Sequence, residues 1–220
     1  MKKLIQGIVD FRKGLTKENR ELFAKLALGQ RPDALFICCS DSRVAPNVFA
    51  STNPGDLFVL RNMGNLVPPD SSSLEETSVP AAIEFSLFSL KVSDIIVCGH
   101  SECGAMVALA QGEQGQAAAC PHFRSWLKYG EEALYKVRKG LAINSHLSEH
   151  NQISQMNVLE QMQHILSYSI VRKRVEENRL RVHGWWFDIA QADVYCYESN
   201  LNQFVLIDES EAKLILKRLQ

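Results

Sequence analysis

Two cysteines and a histidine stand where the sequence indicates that strands end. Cys39 opens the segment Cys39-Ser-Asp-Ser-Arg43, and His100 and Cys103 lie in the segment His100-Ser-Glu-Cys-Gly-Ala105. Thiolate and imidazole are ligands that zinc prefers, and a structural zinc normally has four protein ligands whereas a catalytic zinc keeps one position open. Three protein ligands therefore predict a catalytic zinc centre, with one zinc ion in each chain.

Asp41 and Arg43 follow Cys39 at alternate positions. If this segment is extended, side chains at alternate positions point the same way. Asp41 can then accept a hydrogen bond from zinc-bound hydroxide, or it can occupy the fourth position on the metal itself. Arg43 can hold the Asp41 carboxylate through a bidentate pair. We therefore expect a switch, in which Asp41 closes the metal when it binds it and frees the metal for water when it pairs with Arg43.

The spacing of these residues leaves some alternatives open. A lone His-x-x-Cys is typical of a helix start with a buried cysteine, and only the added Cys-x-Asp-x-Arg favours a metal. Cys38 faces the opposite side of its strand from Cys39, so one of the two can reach the metal, and spacing does not decide which. His146 and His150 are four residues apart and could chelate a metal if this segment is helical, but a polar loop is expected here. Three cysteines without a partner at metal-ligand spacing are predicted to pack in the core: Cys98, Cys120 and Cys196.

The elements that must position these residues alternate between strand and helix. Apolar runs predict buried strands over 34–39, 56–61 and 94–99, and helices over 80–90 and 103–110. This alternation favours an α/β fold with a mainly parallel central sheet flanked by helices. Ligands of such sheets bind beyond the carboxyl ends of the strands, where Cys39 and His100 are both expected.

The two ends of the chain are predicted to differ from this core. Apolar residues at roughly helical spacing indicate an N-terminal arm of two helices over 1–30, able to pack on a partner subunit or on its own chain. Residues 121–177 are predicted to be helical covering structure. Late antiparallel edge strands are expected over 180–187 and 194–197, and a closing helix over 209–219. With no repeat or linker, residues 1–220 are expected to form a single domain.

Composition and charge exclude several classes of function. The chain has 24 Lys and Arg against 25 Asp and Glu, so no long-range field draws it to nucleic acid or to an anionic membrane. We therefore expect a small or neutral substrate. The apolar stretch near the N-terminus is too short for a signal peptide or a membrane span. A cytoplasmic location is expected, where the six cysteines stay reduced.

Three motifs of this chain resemble those of β-class carbonic anhydrases, over a stretch from about Gly29 to Phe187. They are Cys39-Ser-Asp-Ser-Arg43, Arg61-Asn-Met-Gly-Asn65 and Cys98-Gly-His-Ser-Glu-Cys-Gly-Ala105. The resemblance implies reversible hydration of carbon dioxide to bicarbonate and a proton by zinc-bound hydroxide. It also implies the roles of five residues, with Cys39, His100 and Cys103 as zinc ligands and Asp41 with Arg43 as the catalytic pair.

The resemblance further implies substrate contacts and an assembly. Gln30 matches a glutamine that orients the substrate, and Gly104 matches a glycine whose backbone lies beside the site. The resemblance also implies that chains of this kind form dimers, or dimers of dimers. In these assemblies the N-terminal helices pack around the partner and the pocket is completed across the interface. A homodimer or homotetramer is implied. The residues that would line the apolar pocket, or else simply pack in the core, are Phe58, Met63, Phe85, which replaces a frequent tyrosine, and Val44.

The resemblance extends to a second site. Some bacterial members of the family carry a non-catalytic bicarbonate site made of a tryptophan, an arginine and a tyrosine. The matching positions here are Phe36, Arg61 and Phe187. Both aromatic residues lack the polar group, so a buried bicarbonate would have oxygens without a donor. We expect weak binding there and the open state, with Asp41 on Arg43.

Two other functions stay open from the residues alone. A hydrolase of carbon disulfide or carbonyl sulfide could use the same scaffold, since these molecules are isosteric with carbon dioxide. The second is a non-catalytic module that binds zinc or a nucleotide. A nucleotide is considered because the strand over 95–100 and the helix after it could cradle a phosphate. The loop between them lacks the spaced glycines and the lysine that are typical of phosphate-binding loops.

Overall fold

The computed structural model describes residues 1–72 and 74–219, apart from the side chains of residues 116 and 118. Within these residues one sheet has six strands in the order β2-β1-β3-β4-β5-β6. The first four strands run parallel, and β5 and β6 are antiparallel to their neighbours. The strands are β1 (Ala34–Cys39), β2 (Leu57–Asn62), β3 (Asp94–His100), β4 (Arg181–Asp188), β5 (Asp193–Glu198) and β6 (Gln203–Leu206).

Helices cover this sheet and extend from it at the N-terminus. They are α1 (Lys2–Gly14), α2 (Lys17–Leu26), α3 (Pro46–Phe49), α4 (Ser78–Phe85), α5 (Gly104–Gln111), α6 (Pro121–Leu127), α7 (Glu131–Arg138), α8 (Glu149–Ser167), α9 (Ser169–Glu176) and α10 (Glu209–Arg218). The predicted α/β fold with a mainly parallel sheet is confirmed. The late hairpin is present, but β4 lies inside the sheet between β3 and β5, and the edge strand β6 was not predicted.

The core follows from the position of β1 in the sheet. Every residue of β1 is buried, because β2 and β3 flank it and side chains pack on both of its faces. On one face Leu35 and Ile37 join an aliphatic cluster with Ile95 and Val97. The other face carries a second cluster, which includes Phe36, Cys38, Ile96, Cys98 and Phe187. The apolar runs thus hold the carboxyl ends of β1 and β3 rigidly side by side.

The long helix α8 packs closely on β3 and β4. A Cβ at Gly99 would lie 2.7 Å from Val158 Cγ2, and one at Gly184 would lie 2.7 Å from Met162 Sδ. These distances are shorter than van der Waals contact, so the helix needs glycine at both positions of the sheet. The close approach brings the polar residues of α8 within hydrogen-bond reach of the strand ends.

The N-terminal arm, α1 with α2, is helical as predicted. Thr16 caps α2, since its Oγ1 accepts from the backbone N–H of Asn19 at 3.2 Å. Neither helix has a buried residue, and Leu4, Ile8 and Phe11 are more than half exposed. The apolar face of the arm therefore has no cover within the described part of the chain. In that same part, no helix is long and apolar enough to cross a membrane.

Candidate metal centre

Cys39, His100 and Cys103 meet at one edge of the sheet. Cys39 ends β1, His100 ends β3, and Cys103 directly precedes α5. All three are buried, their ligand atoms lie within 4.8 Å of one another, and the two sulfurs are 4.0 Å apart. Two thiolates on a tetrahedral zinc, with Zn–S distances of about 2.3 Å, would be separated by about 3.8 Å. The three side chains therefore fit a zinc ion with little adjustment.

The histidine is prepared for a metal by its backbone contact. His100 Nδ1 lies 2.8 Å from the carbonyl oxygen of Ser101, and a carbonyl only accepts, so Nδ1 carries the proton. The lone pair is then on Nε2, which is fully buried and has no hydrogen-bond partner among the described residues. A buried polar atom of this kind requires a partner. A metal cation would bind this nitrogen together with the neighbouring sulfurs of Cys39 and Cys103.

The two thiols differ in acidity because they share a hydrogen bond. The bond from Cys103, with help from the Gly64 N–H, lowers the pKa of Cys39 despite its burial. The same bond and burial raise the pKa of Cys103. The two sulfurs are thus close enough to share a hydrogen bond, and a divalent cation that binds both would take the place of that contact.

The choice between Cys38 and Cys39 is decided by the strand. Cys38 points into the cluster around Phe36, where burial raises the pKa of its thiol to about 12, so it is an inert packing residue. Cys98 and Cys196 are buried as predicted. Cys120 is exposed just before α6, so the prediction that it packs in the core is wrong.

Asp41 and Arg43 form a bidentate ion pair beside the ligands. Arg43 Nε donates to Asp41 Oδ1 at 3.0 Å and Nη2 donates to Oδ2 at 2.7 Å. These hydrogen bonds hold the pKa of Asp41 down at about 2, although burial opposes them. Asp41 is thus ionised at neutral pH, with its side chain 16% exposed.

The segment that carries this pair is a turn, so the condition of an extended backbone, on which the argument from alternate positions depended, is not met. The Val44 N–H donates to the Asp41 carbonyl at 3.0 Å, and the Arg43 N–H donates to Asp41 Oδ1 at 2.9 Å. An aspartate that accepts the N–H two residues on favours this kind of turn. The turn places the Arg43 guanidinium against the Asp41 carboxylate, where both hydrogen bonds of the ion pair can form.

Arg61 holds the backbone around these residues through hydrogen bonds to carbonyl groups. Its Nε donates to the Cys39 carbonyl at 3.1 Å, and its Nη2 donates to the carbonyls of Asp41 and Val44 at 2.7 and 2.8 Å. The guanidinium is therefore used to hold the chain. Phe36 and Phe187 lie in the neighbouring apolar cluster, in which Phe187 stacks on Phe49 at a centroid distance of 4.7 Å.

A polar stripe on α8, made of Asn151, Ser154, Asn157 and Gln161, holds the backbone of the same loops. Asn151 Oδ1 accepts from the Glu102 N–H at 2.8 Å, Ser154 Oγ donates to the His100 carbonyl at 2.7 Å, and Asn157 Nδ2 donates to the Gly64 carbonyl at 3.0 Å. Gln161 Oε1 accepts from the Val67 N–H at 2.7 Å. Sequence reasoning missed these residues and predicted covering structure, although their spacing of three, three and four is typical of one helix face.

The expected substrate residues fall into three groups. Gly104 and Met63 lie beside the ligands, next to Cys103 and to Gly64, whose N–H donates to Cys39 Sγ at 3.3 Å. Val44 is buried in the core cluster around Phe36, so packing accounts for it.

Three other expected substrate residues lie at the opposite end of the sheet. Phe58 pairs in register with Leu35, whereas Cys39 pairs with Asn62. Four residues of strand put Phe58 about 13 Å from the metal edge. Phe85 lies against Phe58 with a centroid distance of 5.6 Å, and Gln30 is exposed before the start of β1. A single chain does not bring these three side chains to its own metal ligands.

Comparison with known proteins agrees with this geometry. The family model described as carbonic anhydrase matches residues 34–194. A carbonic anhydrase from Synechocystis sp. is 39% identical over 93% of this chain and 74% of its own length, and one from Helicobacter pylori is 33% identical over 93% of each. Among solved structures, the β-carbonic anhydrase CcaA superposes with a TM-score of 0.86 at 37% identity, covering 94% of this chain and 98% of its own. A tetrameric β-carbonic anhydrase from Sordaria macrospora gives 0.75 at 29%, covering 88% and 94%.

Proposed function

Because this chain belongs to the β class of the carbonic anhydrase family, whose zinc-dependent reaction is the reversible hydration of carbon dioxide to bicarbonate and a proton, we propose which of its residues perform that reaction. The observation that carries the proposal is the buried group of Cys39, His100 and Cys103 beside the Asp41–Arg43 pair. Family membership favours this reaction over a nucleotide-binding module.

The three ligand side chains would hold one zinc ion in each chain. Two thiolates and a neutral imidazole balance its double charge, which suits a buried site. Zinc in such a site supplies a Lewis acid that lowers the pKa of water, so that hydroxide is available near neutral pH. The Ser101 carbonyl keeps the His100 ring in the tautomer that ligates through Nε2.

The ion pair would orient the nucleophile. Asp41 Oδ1 already accepts two hydrogen bonds from Arg43, whereas Oδ2 accepts only one, so Oδ2 has the spare acceptor capacity. An ionised carboxylate cannot donate, and it therefore holds an attacking O–H by its hydrogen and leaves an oxygen lone pair for carbon dioxide. Arg43 fixes the Asp41 side chain for this task. The product proton leaves to solvent.

The substrate pocket would be completed by a second subunit. Gln30, Phe58 and Phe85 lie away from the metal ligands of their own chain, and Phe85 is 45% exposed. A homodimer in which these residues face the partner's Met63 and Gly104 would enclose carbon dioxide between apolar side chains. The N-terminal arm over 1–30 would pack on that partner and so bury its apolar face. A homotetramer built from two such dimers is the other assembly that we propose, as in the tetrameric relative.

We also propose that residues 1–220 act as a single domain and that the protein works in the cytoplasm. The support for the location is the state of the cysteines: all six are free, and two of them are needed as thiolates. An oxidising compartment would favour a disulfide between Cys39 and Cys103, whose sulfurs lie 4.0 Å apart.

A stopped-flow assay of carbon dioxide hydration, combined with metal analysis, tests the proposed function. The wild-type protein should contain one zinc ion per chain and lose its activity after chelation. Cys39→Ala should lose zinc and activity together, whereas Cys120→Ala, which changes an exposed cysteine, should keep both. A Cys39→Ala protein with full zinc and full turnover would show that the ligand assignment is wrong.

A further inference from the structure

Glu102 lies between the proposed ligands His100 and Cys103 and has an unusual backbone. Its φ angle is +55°, in the left-handed region that a residue with a Cβ rarely adopts. In this conformation its carbonyl oxygen accepts a hydrogen bond from Arg43 Nη2 at 2.9 Å. The same Nη2 donates to Asp41 Oδ2 at 2.7 Å. The orientation of the catalytic pair thus depends on a strained residue of the metal loop.

Asn151 holds that residue at two points. Its Oδ1 accepts from the Glu102 backbone N–H at 2.8 Å, and its Nδ2 donates to Glu102 Oε1 at 2.9 Å. Asn151 is buried in the first turn of α8, so its position is fixed by the helix. His150 Nε2 lies 3.0 Å from Glu102 Oε2 and supports the same carboxylate from the side. One amide group therefore binds the backbone and the side chain of a single residue.

We propose that Asn151 is a positioning residue for carbon dioxide hydration, which keeps Glu102 in its left-handed conformation and thereby aims the Glu102 carbonyl at Arg43. This proposal rests on the proposed function of the Asp41–Arg43 pair. Both side-chain hydrogen bonds of Asn151 are to Glu102, so its effect passes through Glu102. The loss of Asn151 should therefore lower kcat while KM for carbon dioxide and the zinc content stay near their wild-type values.

Glycine at position 102 separates this role from general packing. Glycine adopts positive φ without the steric cost of a Cβ, so a loop with Glu102→Gly needs the amide clamp less. If Asn151 acts through the conformation of residue 102, the two substitutions must be coupled. If it only stabilises α8, their effects must be independent.

The experiment is a double-mutant cycle on zinc-loaded protein. Asn151→Ala should lower kcat about tenfold in the wild-type background and threefold or less in the Glu102→Gly background. Gln152→Ala is the matched control, because it removes an amide of the same helical turn whose Nε2 binds the carbonyls of Ser145 and Leu147, away from the metal loop. An equal fall of kcat in both backgrounds, or none, would overturn the proposal. If Asn151→Ala does not fold, Asn151→Ser, which keeps one hydroxyl, serves in the same cycle.

A crystal structure of the Asn151→Ala protein gives a second readout that does not depend on activity. Residue 102 should leave the left-handed region, and its carbonyl should lose the contact with Arg43 Nη2. A retained φ near +55° with the carbonyl still on Arg43 would refute the clamp, whatever the kinetics. A zinc-loaded wild-type protein that does not hydrate carbon dioxide would instead refute the proposed function and leave the structural role of Asn151 intact.

Discussion

The backbone N–H of Gly64 donates a hydrogen bond to Cys39 Sγ at 3.3 Å, from a loop that is 25 residues away in sequence. The carbonyl of the same peptide group, that of Met63, accepts from Trp126 Nε1 at 2.8 Å, and the Gly64 carbonyl in the next peptide group accepts from Asn157 Nδ2 at 3.0 Å, so both sides of Gly64 are held. A donor to a thiolate sulfur disperses part of its charge and fixes the ligand before a metal arrives. The φ of Gly64 is +81°, in the left-handed region that favours glycine.

Gly64→Ala should weaken zinc binding about tenfold and lower the free energy of unfolding by about 1–3 kcal/mol. The reason is steric, since a Cβ at this position would lie 2.9 Å from the Ala105 Cβ, and φ is positive. Competition with a chelator measures the zinc affinity. Gly7→Ala, in the exposed α1 where a Cβ meets nothing within 4 Å, is the control and should change neither quantity. Wild-type zinc affinity in Gly64→Ala would contradict the role of the N–H.

Asp41→Asn should keep its zinc but lose carbon dioxide hydration by about a hundredfold or more. The amide has no negative charge for Arg43 and presents an NH₂ group where one carboxylate oxygen accepts. Stopped-flow rates on protein of known zinc content measure the effect. Asp33→Asn, which changes an exposed aspartate before the opposite end of β1, should retain wild-type rates. Near-normal turnover in Asp41→Asn would rule out the catalytic pair.

Bicarbonate should inhibit the enzyme weakly and without cooperativity. The Arg61 guanidinium already donates hydrogen bonds to three backbone carbonyls. The side chains of Phe36 and Phe187 have no hydrogen-bond donor for an anion. The measurement is the hydration rate at rising bicarbonate concentration and constant ionic strength. A sigmoidal inhibition curve, or a crystal structure with bicarbonate beside Arg61, would show that this expectation is wrong.

Asp94 should make the free energy of unfolding depend on pH in the acid range. Burial opposes its ionisation, but hydrogen bonds from Arg181, His183 and Ser93 outweigh burial and hold the pKa well below its usual range in the folded state. A carboxyl whose pKa is lowered by folding contributes stability above its unfolded pKa of about 3.9 and loses that contribution as the pH falls toward the folded value. Asp94→Asn should therefore cost about 1–2 kcal/mol at pH 7 and clearly less at pH 3.

Urea unfolding of the wild type and Asp94→Asn at both pH values checks this prediction. Comparing the two proteins at each pH cancels the acid-driven loss of zinc, which affects both alike. The cluster lies at the amino ends of β3 and β4, away from the metal, so activity per zinc ion should not change. A difference between the two proteins that is the same at pH 7 and pH 3 would contradict the linkage.

Much of the fold and of the metal centre could be predicted because the signals are local. The apolar run of β1 requires a strand that is buried on both faces, and a strand of this kind belongs to a covered parallel sheet. Residue types then limit the chemistry, because cysteine and histidine are side chains that bind zinc, and Cys39, His100 and Cys103 stand at or shortly after the ends of such runs. The two exposed helices of the arm followed equally from the period of their apolar residues.

The tertiary structure alone decided which contacts hold the site in shape. Asn151 and Asn157 reach backbone groups 49 and 93 residues away, and a helical period does not reveal whether a polar face meets solvent or a loop. The turn at Asp41 follows from a side chain that competes with extended backbone, which spacing alone does not resolve. Gln30 and Phe58 lie far from the metal edge because register along β1 and β2 sets their distance. Sequence therefore determined the strands and the chemistry at their ends, while packing between distant segments determined the orientation of each proposed catalytic group.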